Sequence, residues 1–209
     1  MIINPQFRPF QLDILKEFAN IGAGHAATSL STMIGEKVSM DVPKIHITTF
    51  NEAVQLLGGA DVVANCIFLP FTGDIQGNFL ILSRKGEIDN ILEKIFLSLQ
   101  VENITNELLE SANSELGNIL GSSYLNAISD FTGLSISVGI PFVTTDLTGA
   151  LLMEALAHLV IITDNAVIID TVISEGEYKK KKLFEGHVLF LPTFESYSAL
   201  FESIGFDEI

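Results

Sequence analysis

One sparse pattern occurs twice in this chain, and any fold proposed for it must accommodate both copies. Asp13, Glu17, Asn20 and Pro43 form the first; Ser111, Glu115, Asn118 and Pro141 form the second, 98 residues on. Both read Asp/Ser-x3-Glu-x2-Asn-x22-Pro, with no insertion or deletion between them. Residues three apart on a helix are surface neighbours, so each Glu/Asn pair lies side by side. Aligning 13–43 with 111–141 gives seven identities in 31 pairs: Glu17/Glu115, Asn20/Asn118, Ile21/Ile119, Ser31/Ser129, Gly35/Gly133, Ser39/Ser137 and Pro43/Pro141. Unrelated sequences of average composition would give roughly two. The period is half the chain, which points to a fused tandem pair rather than a solenoid.

The periodicity predicts a helix over 11–34. At 100° per residue, Leu15, Phe18, Ala19, Gly22, Ala26, Leu30 and Met33 fall on one side, and Asp13, Glu17, Asn20, Gly24 and Ser31 on the other. Gly35 stands where a C-terminal cap is expected. The second copy repeats the arrangement, with Leu116, Gly117, Leu120, Tyr124, Ala127, Ile128 and Phe131 inward. Ser111, Glu115, Asn118, Ser122 and Ser129 face outward, and Gly133 ends the helix. Both Glu/Asn pairs are therefore expected on solvent faces. Gly24 and Ser122, small and outward, suit close approach by another macromolecule's backbone. Gly22, on the inner side, suits packing of the helix against its own sheet.

Alternating segments follow each helix, 37–42 and 135–140, each closed by the repeated proline. Residues 65–71 and 78–83 read as a hairpin around the turn 72–77. Residues 160–163 and 166–172, turning at 164–165, read as the matching region of the second half. A strand at 187–191 and helices at 86–99 and 195–204 complete the pattern, with Lys179–Lys182 as a solvated turn. Helices mixed with antiparallel strands predict an α+β fold with pseudo-twofold symmetry, its long amphipathic helices displaying two equivalent sites. No Pro/Gly/Ser-rich linker separates the halves. The expectation is one domain over 1–209, built from repeats of about 11–100 and 105–209.

Composition narrows the function. A net charge of −15, from 26 acidic and 11 basic residues, argues against sequence-independent nucleic-acid binding, which needs a positive surface. The acid would speed approach of a partner with a basic patch, or simply keep an apolar protein in solution. Apolar stretches are broken by Glu154, His158, Asp164 and Asp170, so no bilayer-spanning segment is expected. Met1–Phe10 lacks the basic start and apolar run of a signal peptide. Cys66 is the sole cysteine, which excludes an internal disulfide and fits a reducing cytoplasm.

Glutamate and asparagine alone make a poor self-contained active site. His25, His46, His158 and His187 show no metal-ligand spacing, and no nucleophile turn or phosphate-binding glycine loop is present. Asparagine cannot be a general base, but its amide both accepts and donates hydrogen bonds. That suits orienting a water for in-line attack on phosphorus, while the carboxylate could pair with a partner's lysine.

The stretches Glu17-Phe-Ala-Asn-Ile-Gly-Ala-Gly-His-Ala-Ala and Glu115-Leu-Gly-Asn-Ile-Leu-Gly-Ser-Ser-Tyr-Leu resemble the CheC/CheX/FliY family of chemotaxis phosphatases. The Asp/Ser-x3-Glu-x2-Asn-x22-Pro spacing is that family's signature, and the likeness runs nearly end to end. A FliY-type member would carry a further C-terminal region and a CheX-type member one helix site, so the expectation falls on the CheC group. The resemblance implies that the substrate is the aspartyl phosphate of the response regulator CheY. Asn20 and Asn118 would each position the attacking water, and Glu17 and Glu115 would bind the regulator's lysine. Mg²⁺ would belong to the regulator, leaving this chain without a metal or cofactor of its own. Asp13 and Ser111 would cap or orient the helices, and Pro43 and Pro141 would shape the following strand.

The resemblance further implies a second partner, the receptor deamidase CheD, with Asp146 at the docking position. A turn or an N-cap accounts for Asp146 equally well. The rival to the phosphatase is a non-enzymatic adaptor that binds phosphorylated CheY and sequesters or regulates CheD. Turnover separates the two, since only the enzyme releases more than one phosphate per chain.

Overall fold

The computed structural model describes residues 9–157, 165–176 and 181–206, and its elements come in two rounds of one order. The first round is α1 (Pro9–Ile34), β1 (Val38–Asp41), β2 (Ile45–Thr49), α2 (Phe50–Leu56), β3 (Val63–Gly73), β4 (Gly77–Arg84) and α3 (Glu87–Ser98). The second is α4 (Asn106–Thr132), β5 (Ile136–Val138), β6 (Phe142–Leu147), α5 (Thr148–Ala157), β7 (Asn165–Glu175), β8 (Lys181–Pro192) and α6 (Phe194–Glu202). Thr105 caps α4, its hydroxyl accepting from the Leu108 amide at 3.2 Å. Gly35 and Gly133 end the two long helices at φ of 75° and 73°, a left-handed conformation that only glycine adopts without penalty.

The strands form one antiparallel sheet in the order β1-β7-β8-β4-β3-β5, with β2 also on β7 and β6 also on β3. Exchanging each element for its counterpart reverses this order and leaves it unchanged. The pseudo-twofold axis therefore passes between β4 and β8, where Ile81 faces Val188. Among the described residues the first half's β1 and β2 pair only with β7, and the second half's β5 and β6 only with β3. Each half thus completes the sheet of the other.

Both sheet faces are covered, so the central strands read as nearly continuous apolar runs. On β3, Ile67, Leu69 and Phe71 face α1, α3, α4 and α6, while Cys66 and Phe68 face the smaller layer under α2 and α5. Among the described residues no helix is long and apolar enough to cross a membrane.

Several elements differ from the sequence reading. Residues 166–172 belong to β7, which pairs with β8 and with β1 and β2; 160–163 and Asp164 of the expected turn lie outside the described residues. Lys181 and Lys182 open β8 instead of lying in a turn. The strand expected over 135–140 stops at Val138. Phe131, expected inside, is 50% exposed with its edge against Phe18 at 5.3 Å between centroids.

Candidate functional site

Asp13, Glu17, Asn20 and Gly24 recur at steps of four, three and four along α1, which holds them in one exposed stripe. Ser111, Glu115, Asn118 and Ser122 make the matching stripe on α4; there Ser111 and Glu115 are exposed and Asn118 and Ser122 are half-buried. Neither Asp13 nor Ser111 caps its helix. Asp13 lies inside α1 and accepts from the Lys16 ammonium at 3.1 Å, and α4 is capped by Thr105. The Ser122 hydroxyl bonds back to the Asn118 carbonyl, which takes it out of the outward surface. Gly24 stands in the open, with nothing within 4 Å of where a Cβ would be.

The spacing from asparagine to proline has a geometric cause. From Asn20 the helix runs on for about 21 Å to Ile34, and β1 and the residues after it bring the chain back by about 17 Å. The proline consequently returns beside the asparagine. Asn20, Ala23, Met40, Asp41, Val42, Pro43 and Val172 line an open depression of about 490 Å³. In the second copy Pro141 is buried against α4: a Cβ on Gly117, next to Asn118, would lie 3.3 Å from the Pro141 Cβ. The same Cβ would meet Ile67 Cγ2 at 2.5 Å, so α4 sits low on the sheet at this point.

The two long helices pack against each other as well as on the sheet. A Cβ on Gly22 would meet Tyr124 at 2.8 Å from Cδ1 and 2.9 Å from Cα. Gly22 therefore serves the α1–α4 contact, not the packing on the sheet that its inward position suggested. Ser31 and Ser129, identical in the two copies and read as part of the outward face, tie each helix end to the segment after it. Ser31 Oγ donates to the Ala27 carbonyl at 2.7 Å and accepts from the Val38 amide at 2.9 Å. Ser129 Oγ donates to the Leu134 carbonyl at 2.6 Å.

Elsewhere, Asp146 is exposed on β6, its carboxylate accepting from the Leu147 amide at 2.7 Å just before α5 begins. Sequence spacing gave no sign that Asp170 bridges two histidines, His46 Nε2 at 3.1 Å and His187 Nδ1 at 3.0 Å. Cross-strand placement on β2, β7 and β8 creates that cluster, which joins an edge strand to the sheet. Among the described residues no grouping of three or more His, Cys, Asp or Glu side chains could hold a metal ion.

An amide beside an exposed carboxylate, on a rigid helix and offered twice, exposed at Asn20 and half-buried at Asn118, can orient a small polar molecule for a guest protein; the amide itself cannot act as a general base. Fold and paired motif together define a class. A sequence model described as the CheC-like family matches residues 10–47. The CheY-P phosphatase CheC of Bacillus subtilis (strain 168) is 33% identical over 198 residues, covering 93% of this chain and 94% of that protein. The chain belongs to the CheC-like family. Thermotoga maritima FliY matches with a TM-score of 0.72 at 18% identity, covering 95% of this chain and 98% of that one. The FliM middle domain of H. pylori matches at 0.63 with 8% identity, covering 93% and 98%. These two likenesses concern the fold, which is compatible with more than one function.

Proposed function

We propose that this chain hydrolyses the aspartyl phosphate of CheY, with Glu17/Asn20 and Glu115/Asn118 as two copies of the site. The relative named as a CheY-P phosphatase supports the substrate, at 33% identity over most of the chain. The observation that carries the chemistry is the return of each motif proline to the level of its own asparagine. In the reaction a water oxygen attacks phosphorus in line. The bond from phosphorus to the aspartyl oxygen breaks, and the carboxylate and inorganic phosphate leave. The side-chain oxygen of Asn20 or Asn118 accepts a hydrogen bond from that water and fixes its direction, a positioning effect that involves no proton transfer to the amide. Glu17 or Glu115 accepts from the receiver's lysine and holds the docked geometry. Mg²⁺ that neutralises the acyl phosphate would be held by the receiver.

Phosphate release from phosphorylated CheY, measured with Asn20→Ala, Asn118→Ala and the double variant, tests this reading. Either single variant should retain turnover, and the double variant should lose the stimulated rate by about a hundredfold or more while keeping its fold. A double variant as fast as the parent would remove the mechanism. CheD binding belongs to the same proposal. Asp146 offers it an exposed carboxylate on β6, an edge strand where Phe142, Val143 and Leu147 are also exposed. Calorimetric titration of CheD against Asp146→Ala reads that contact directly.

A further inference from the structure

The pseudo-twofold axis allows the surroundings of the two sites to be compared residue by residue, and they differ. Beside Asn20 the wall of the depression is Asp41, Val42 and Pro43, with Val172 of β7 opposite Asp41 in the ladder. The counterparts in the second copy are Gly139, Ile140 and Pro141, of which Pro141 packs against α4 at Gly117. There Pro70 of β3 takes the place of Val172, its carbonyl accepting from the Gly139 amide at 2.7 Å. A Cβ at 139 would lie 2.8 Å from Pro70 Cγ and 3.0 Å from the Pro70 carbonyl oxygen, so any side chain at this point would have to push Pro70 aside. With β5 ended one residue earlier, Ile140 turns outward and is 87% exposed, whereas Val42 packs partly against the core.

We infer that the Asn118 site takes the phosphorylated receiver more tightly than the Asn20 site, and that Ile140 is the residue that sets the difference. The inference rests on the reading of the two asparagines as water-positioning groups. A scattered exposed isoleucine is ordinary on a protein surface, but this one borders Pro141, which packs on α4 at Gly117, the residue before Asn118. A receiver docked over α4 at this level would cover Ile140, next to Pro141, and remove its apolar surface from water. At the first site Val42, the counterpart of Ile140, packs partly against the core, so the same approach covers less apolar surface there.

The test uses the full chain in two single-site forms, Asn20→Ala and Asn118→Ala, with phosphorylated CheY as substrate. KM should be lower for the Asn20→Ala protein, in which only the second site works. Adding Ile140→Ser to that protein should raise KM by roughly tenfold, as for an anchor residue at the centre of an interface, with kcat nearly kept. The rise should be several-fold smaller when Ile140→Ser is added to the Asn118→Ala protein. Thermal unfolding of each Ile140→Ser protein should match its parent, since the side chain contributes little to the core. Equal KM values for the two single-site forms overturn the inference, as does a loss confined to kcat. A change in sedimentation on Ile140→Ser would also overturn it, by making this face a contact between copies of the chain. A double asparagine variant with full activity would instead strike the underlying reading of the amides.

Discussion

Two glycines two positions apart in α1 should respond to alanine with opposite sign. At Gly22 a Cβ lands 2.9 Å from the Tyr124 Cα, a backbone atom that cannot swing away, so α1 and α4 must separate by several tenths of an ångström. Overpacking of this kind costs about 1–3 kcal/mol, against roughly 1 kcal/mol contributed by replacing a helical glycine. The net expectation is a loss of about 1 kcal/mol, or a Tm lower by about 2–4 °C for a chain of this length. At Gly24 nothing lies within 4 Å. Only the propensity gain remains there, so Gly24→Ala should be more stable by ~0.5–1 kcal/mol. Because Gly24 lies on the stripe that carries Glu17 and Asn20, the same variant should raise KM for phosphorylated CheY at that site, best read in the Asn118→Ala background. Urea unfolding with a shared m value gives both stabilities. A stabilised Gly22→Ala would show that the helices are not held in contact by the missing side chain, and a destabilised Gly24→Ala would mean that this stripe is covered.

Two other elements of the fold give measurable outcomes. Hydrogen bonds from the Thr48 hydroxyl, and then from the amide and hydroxyl of Thr49, hold the Glu52 carboxyl below the usual glutamate range. Folding favours the charged form, so this contribution is complete above the unfolded-state pKa and disappears as pH falls through the lower folded-state value. Thr49→Ala should destabilise by about 0.5–2 kcal/mol at neutral pH, and its deficit should shrink in acid melts below the glutamate range; a deficit constant with pH would show that the Thr49 hydroxyl does not hold the Glu52 carboxylate. Cys66 is fully buried, and burial pushes its thiol pKa up. Because each half completes the other's sheet, thiol labelling should follow global unfolding with the same denaturant dependence as circular dichroism. Labelling at a lower denaturant concentration would show the halves opening separately.

The long helices and their glycine ends were legible because a 3.6-residue period and a repeated spacing reinforce each other over two copies. The hairpin of β3 and β4 was visible because its turn is polar and short. What sequence did not reveal depends on distant partners. β2, β6, α2 and α5 are brief, and α5 has few polar residues to give it a face; only Thr49-x-x-Glu52, a capping-box pattern, marked the start of α2. The repeated serines looked like part of a functional face because identity at equal spacing does not reveal which atoms they bind. At the site, the asparagines and prolines were evident, but the reason for a glycine at 139 opposite an aspartate at 41 was not, since it lies in the close approach of Pro70 across the sheet. Within the second half the counterpart of the β3–β4 pair is β7 with β8.

The reciprocal pairing of β1 and β2 with β7, and of β5 and β6 with β3, limits how such a molecule can be assembled. A peptide holding a single copy could satisfy its edge strands only by finding a twin, so its folding would depend on dilution. Joining the copies makes that encounter intramolecular and frees it from concentration. It also frees the copies from being the same. A symmetric pair must wear any substitution on both faces, whereas the joined chain can set a carboxylate at one helix and an isoleucine at the other.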